Sequence, residues 1–159
     1  MSKKNFLELD GEKIAAIFET PEEDYKGTVV FCHGFGSDKE GSYRKRCRTV
    51  VENGFKCVRF DFRGNNESSR DFSDANLTTR IEDLKRVVDE VEDDKVMVYG
   101  TSFGGLVALN TAAEDERIDV LALRAPVTLI SALDDIKQKI EENGEYEHIP
   151  GKKVDIRFV

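Results

Sequence analysis

Two glycines bracket one serine in Tyr99-Gly100-Thr101-Ser102-Phe103-Gly104, directly after the apolar run Val96-Met97-Val98 and at the start of a stretch of small and apolar residues from Phe103 to Ala113. An apolar run that breaks at such a motif and resumes with helical spacing describes a strand that turns into a helix within a few residues. The turn is so tight that only small residues fit two positions to either side of the serine, and it lifts the hydroxyl clear of the sheet. A chain with this corner must build a sheet whose strand ends abut helix starts, which restricts it to layered α/β architectures.

The remaining periodicity agrees. Phe6-Leu7-Glu8-Leu9, Asp10-Gly11 and Lys13 to Phe18 read as a hairpin around an Asp-Gly turn. Thr28 to Cys32 is apolar enough for a central strand covered on both faces. Residues 42 to 53 carry a helical pattern that stops at Asn53-Gly54, and Lys56 to Phe62 is another strand. Leu77, Ile81, Leu84, Val87, Val88 and Val91 recur at spacings of three and four, which predicts a helix over 78 to 92, with Thr79 and Glu82 as its capping box. Ile118 to Leu123 is a further strand. Right-handed crossovers turn this βαβαβα series into a doubly wound, mainly parallel sheet with an antiparallel N-terminal hairpin. Beyond Pro126 the pattern changes to a helix over Leu129 to Ile140, polar residues around Asn143-Gly144, and an alternating run from Val154 to Val159. The expected division is a core over residues 1–126 and an inserted segment over 127–159.

Composition limits the function classes. The 32 acidic residues outnumber the 24 basic ones and give a net charge of −8, which argues against a nucleic-acid partner. No run of about 18 apolar residues and no basic-then-apolar leader is visible, so neither membrane contact nor export is expected, and the location read from the sequence is cytoplasmic. Cys32, Cys47 and Cys57 make an odd count without metal-ligand spacing; buried free thiols are expected, with no metal and no cofactor.

Ser102 is the candidate nucleophile. His33-Gly34-Phe35-Gly36 follows the strand ending at Cys32, and such a loop can aim a backbone N–H at a carbonyl oxygen that becomes an oxyanion. The donors expected are the N–H groups of Phe35 and Phe103, with His33, Gly34, Gly100 and Gly104 as support. His33 is read as orienting its loop by hydrogen bonding rather than as a base.

These residues together resemble the α/β-hydrolase family, particularly its compact esterase and serine-aminopeptidase-like members. The resemblance rests on His33-Gly34-Phe35, on Arg59-Phe60-Asp61-Phe62-Arg63-Gly64, on Gly100 to Gly104 with Gly105, and on Ala125-Pro126, and it covers residues 5 to 150. It implies an acyl intermediate on Ser102, oxyanion donors at Phe35 and Phe103, and a lid beginning after Pro126. The chain departs from the pattern where Asn65, Asn66, Glu67 and Ser68 replace a histidine and a second glycine; asparagine tolerates the positive φ the glycine would adopt. Similar enzymes also continue into further strands that supply an acid and then a histidine. The only histidine after Ser102 is His148, in Glu147-His148-Ile149-Pro150, with no apolar strand before it of the kind that carries a catalytic loop.

Hydrolysis of a small ester or amide through acyl-Ser102 is therefore the expected activity of the fold, with the last strands, the acid and the histidine absent and the 159-residue chain nearly inactive alone. A peptidase-type serine hydrolase stays open. So does a non-catalytic truncated module that binds a partner or forms a homo-oligomer through the unfinished edge at Ile118 to Leu123, where an apolar strand invites association.

Overall fold

The computed structural model describes residues 1–74, 76–128, 134–149 and 152–154. Its main sheet has six strands: β1 (Ser2–Leu9), β2 (Glu12–Glu19), β3 (Thr28–Cys32), β4 (Lys56–Phe60), β5 (Val96–Thr101) and β6 (Ile118–Arg124), in the spatial order β1-β2-β4-β3-β5-β6. The β1–β2 and β2–β4 pairings are antiparallel and the other three are parallel. The hairpin turns at Asp10 and Gly11, both at positive φ (52° and 80°), the conformation an Asp-Gly corner favours.

Three helices cover the sheet: α1 (Gly41–Glu52) on one face, α2 (Leu77–Asp89) and α3 (Phe103–Glu114) on the other. Strand residues alternate between the two sides, as a two-residue period requires. Val30 and Cys32 of β3, Val58 and Phe60 of β4, and Val96 and Val98 of β5 join Leu84, Val87, Val88, Phe103, Leu106 and Val107 under α2 and α3. Phe31 and Cys57 meet Tyr43 and Cys47 of α1 in a smaller second cluster. Because α1 lies over β4 and β3, the same face of β5 and β6 carries no helix among the described residues. An apolar groove of about 400 Å³ opens there, lined by Phe31, Val50, Met97, Tyr99, Val120 and Ala122 among others.

Several details differ from the sequence expectations. The strand expected over Lys56 to Phe62 ends at Phe60, since Asp61 turns away to accept hydrogen bonds. Helix α2 is capped one turn earlier than expected: the Asn76 side chain accepts from Thr79 N–H and Asn76 N–H donates to Thr79 Oγ1, both at 3.0 Å. Glu82 faces Arg63 instead. Cys47 and Cys57 are not free thiols but form a disulfide between α1 and β4, their Cα atoms 5.6 Å apart; only Cys32 is free. The turn after α1 brings two residues ten positions apart face to face, which spacing alone does not reveal.

After β6 the described chain forms α4 (Asp134–Asn143) and a small antiparallel pair, β7 (Tyr146–Ile149) with β8 (Lys152–Val154). The expected helix start at 129–133 and the alternating run at 155–159 lie outside the described residues. Val127, Ile136 and Ile140 pack on the main core, and β8 lies against a 3-10 turn at Phe72–Asp74.

Candidate active site

Ser102 sits between the end of β5 and the start of α3 with φ 52° and ψ −120°, a strained backbone for a residue with a Cβ. Its own neighbours hold it there. Ser102 N–H donates to the carbonyl of Arg124 (3.1 Å), while its carbonyl accepts from the N–H groups of Gly105 (2.9 Å) and Val127 (3.1 Å). The hook that follows β6, with Ala125 also at positive φ (44°), thus clasps the corner from both sides.

The bracketing glycines are demanded by contact. A Cβ on Gly104 would lie 2.3 Å from the carbonyl oxygen of His33, and one on Gly100 would lie 2.6 Å from Cα of Gly105. One on Gly105 would lie 2.8 Å from Cβ of Pro126, which explains the extra glycine and the role of Ala125-Pro126. Backbone cannot withdraw from backbone here without breaking the corner.

The loop 33–36 lies directly against the serine: a Cβ on Gly34 would stand 3.4 Å from Cβ and 4.0 Å from Oγ of Ser102. Phe35 and Gly36 turn the chain, with Ser37 N–H donating to Gly34 carbonyl (3.1 Å) and Gly36 at φ 69°. Phe103, the first residue of α3, presents its N–H at the positive end of that helix. His33 is buried, its Nδ1 donates to the Gly34 carbonyl (2.9 Å) and its Nε2 accepts from Phe62 N–H (3.2 Å). Both ring nitrogens are engaged in shaping the loop.

Behind it stands the polar turn that follows β4, whose residues the sequence brought out as a motif but whose partners Lys39 and Asp83 it did not. Asp61 is buried and accepts from Lys39 N–H and Lys39 Nζ, both at 2.7 Å. Burial pushes the Lys39 ammonium down, but its bonds to Asp61 and Glu67 outweigh this and leave its pKa raised. Arg63 is likewise buried, its N–H and Nε bonded to Asp83 at 2.8 and 2.5 Å. Asn66 adopts φ 46°, so asparagine does supply the left-handed turn at this departure. The Cys32 thiol lies next to the loop, yet burial pushes its pKa far up and leaves it inert as a nucleophile.

Among the described residues no histidine nitrogen bonds to Ser102 Oγ, and no group of three or more His, Cys, Asp or Glu residues could hold a metal ion. His148 is on β7.

Residues 23–143 match the family model described as serine aminopeptidase, S33. The chain belongs to that family, and its mostly parallel sheet with an antiparallel hairpin is that of the α/β-hydrolases. It is 31% identical over 109 residues to the quorum-quenching protein AidA of Acinetobacter baumannii, a match that covers 63% of this chain and 35% of that protein. Est1E of Butyrivibrio proteoclasticus, in a structure with ferulic acid bound, superposes with TM-score 0.79 at 23% identity, covering 95% of this chain and 67% of Est1E. The α/β hydrolase GrgF of Penicillium sp. sh18 gives TM-score 0.78 at 22% identity, covering 91% of this chain and 52% of GrgF. The chain spans between 35% and 40% of the length of the first three curated relatives it matches. No described helix is long and apolar enough to cross a membrane.

Proposed function

We propose that Ser102 is the nucleophile of a carboxylic-ester hydrolase and becomes acylated by a small ester substrate. The observation that carries this reading is the strained Ser102 backbone, held by Arg124 and Val127 with the 33–36 loop laid against it. Strain of this kind persists only where the surroundings enforce it, and here it sets a half-buried serine at a helix N-terminus. In the reaction Ser102 Oγ attacks the ester carbonyl, the N–H groups of Phe35 and Phe103 receive the developing oxyanion, the alcohol leaves, and water releases the acid. His33 and Gly34 shape the donor loop, while Gly100 and Gly104 let the backbones meet. The segment from residue 127 onward acts as the beginning of a lid, a role supported by β8 lying against the Phe72–Asp74 turn. The Ser102 proton has to pass to a general base, and His33 is not that base in this reading, since both its ring nitrogens are already bonded.

Intact mass after exposure to a fluorophosphonate tests this. One phosphonyl group is expected on Ser102 and none on Ser102→Ala, at a rate about 10²-fold below that of a serine with a bonded histidine. No adduct on the wild-type chain would mean that no base reaches the serine, and the catalytic reading would fall. A non-catalytic module would then remain, associating through β6, where Val120 and Leu123 are 49% and 37% exposed. Sedimentation separates that reading from a monomer.

A further inference from the structure

Arg80 lies in α2, is 0% exposed, and among the described residues makes no hydrogen bond through Nε, Nη1 or Nη2. A guanidinium carries five donors, and burying it with none of them met is among the least favourable choices a core can make. The nearby carboxylate of Asp83 does not bond it; both Asp83 oxygens accept from Arg63 instead. What surrounds Arg80 is aromatic. Its Cζ stands 5.2 Å from the ring centroid of Phe62, 5.8 Å from that of Phe72 and 5.3 Å from that of Phe103.

Each ring leads to a different wall of the proposed oxyanion site. Phe103 follows Ser102 and carries one donor N–H. Phe72 packs edge-on against Phe35, which carries the other, at 5.0 Å between centroids, and Phe35 also meets Phe103 at 6.2 Å. Phe62 packs edge-on against the His33 ring at 4.9 Å, and its N–H donates to His33 Nε2. An apolar side chain of equal volume would fill this space, but a cation attracts ring faces, and does so more strongly in a dry site than in water.

We propose that Arg80 is a positioning residue for the oxyanion site: by drawing Phe62, Phe72 and Phe103 onto one buried guanidinium it sets where the Phe35 and Phe103 N–H groups stand relative to Ser102. This rests on the reading of Ser102, Phe35 and Phe103 given above. Burial lowers the pKa of Arg80 to about 10, against the pull of Asp83, so the group keeps its charge at neutral pH.

The test compares wild type with Arg80→Met and Arg80→Lys. Methionine fills the aromatic pocket and removes a buried charge, a change that is often neutral or stabilising. The Met variant is therefore expected to keep or raise the wild-type Tm, while its rate of phosphonylation at Ser102 falls roughly tenfold, less than the loss from deleting a donor outright. Lysine, which keeps the charge but not the plane, should recover part of the rate. A Met variant that reacts within twofold of wild type overturns the proposal. So does a parallel fall of rate and Tm, which marks a structural role. If the Met variant does not fold, the Lys variant decides: a slower rate at unchanged Tm supports the proposal, and a wild-type rate overturns it.

If wild type gives no adduct, the reading of Ser102 fails by itself and Arg80 is judged by ¹⁵N-phenylalanine spectra instead. Shifts of the Phe35 and Phe103 amides in the Met variant, with Phe31 of β3 and Phe60 of β4 unmoved, support the proposal. Four unmoved signals, or four that move together, overturn it.

Discussion

The corner around Ser102 and the face of β5 and β6 beside α1 belong to the same two strands, yet they are packed in opposite ways. At the corner a single added Cβ meets a carbonyl oxygen at 2.3 Å, whereas the groove leaves about 400 Å³ unfilled against Met97, Tyr99 and Val120. Apolar content does not separate them, since both draw on the run from Val96 to Tyr99. The difference lies in what packs opposite. Backbone from β3, α3 and the 124–127 hook converges on the corner, while among the described residues the groove receives only the flank of α1.

The largest effect that would break this comparison is at the corner itself. Gly104→Ala should cost about 3 kcal/mol or more, or prevent folding, because the clash is with backbone that cannot repack; a urea melt close to wild type would show that the corner yields. Asp61→Asn comes next. It leaves Lys39 buried beside Glu67 with a weakened partner, and a loss of about 3 kcal/mol is expected in the same measurement. On the groove side, reducing Cys47–Cys57 releases a loop of ten residues that tethers α1, and denaturant melts with and without a phosphine reductant should differ by about 2 to 3 kcal/mol.

A smaller effect appears in acid. Hydrogen bonds from Lys39 and Lys4 hold the Glu67 carboxyl down at about 2, below its ordinary value of 4.5. A depressed folded-state pKa stabilises above the unfolded value, so this contribution is complete above pH 4.5 and fades as pH falls toward 2. Glu67→Gln should flatten the decline of Tm across that window relative to wild type. The smallest effect is expected at the groove: Val120→Lys should change stability by no more than about 0.5 kcal/mol, since the side chain is 49% exposed. A cost above 1 kcal/mol at monomer concentrations would mean that the groove is covered in solution.

What could be read without coordinates was local. Gly100, Ser102 and Gly104 announce their turn because its geometry is satisfied within five residues, and the Asp10-Gly11 hairpin is legible for the same reason. Asn66 could be anticipated at a positive φ from its residue type. The stripe on α2 was legible only in part: Leu84, Val87 and Val88 are buried as their spacing requires, but Arg80 and Asp83 are buried beside them, against every expectation from polarity. Nothing near them in sequence marks their surroundings, because Arg63, Phe62 and Phe103 arrive from other elements. The capping residue was misplaced by one turn, since both Asn76 and Thr79 suit that position and the choice depends on where the preceding turn delivers the chain.

The sequence by itself determined the α/β layering, the hairpin and the corner that presents Ser102, since each follows from spacings shorter than one turn or one strand. Only the tertiary structure decided which cysteines join, which arginine is bonded and which is left among rings, and that the hook after β6 clasps the serine. Those outcomes depend on groups far apart in the chain meeting at van der Waals distance, and residue order does not encode such meetings until the sheet has set its strand order.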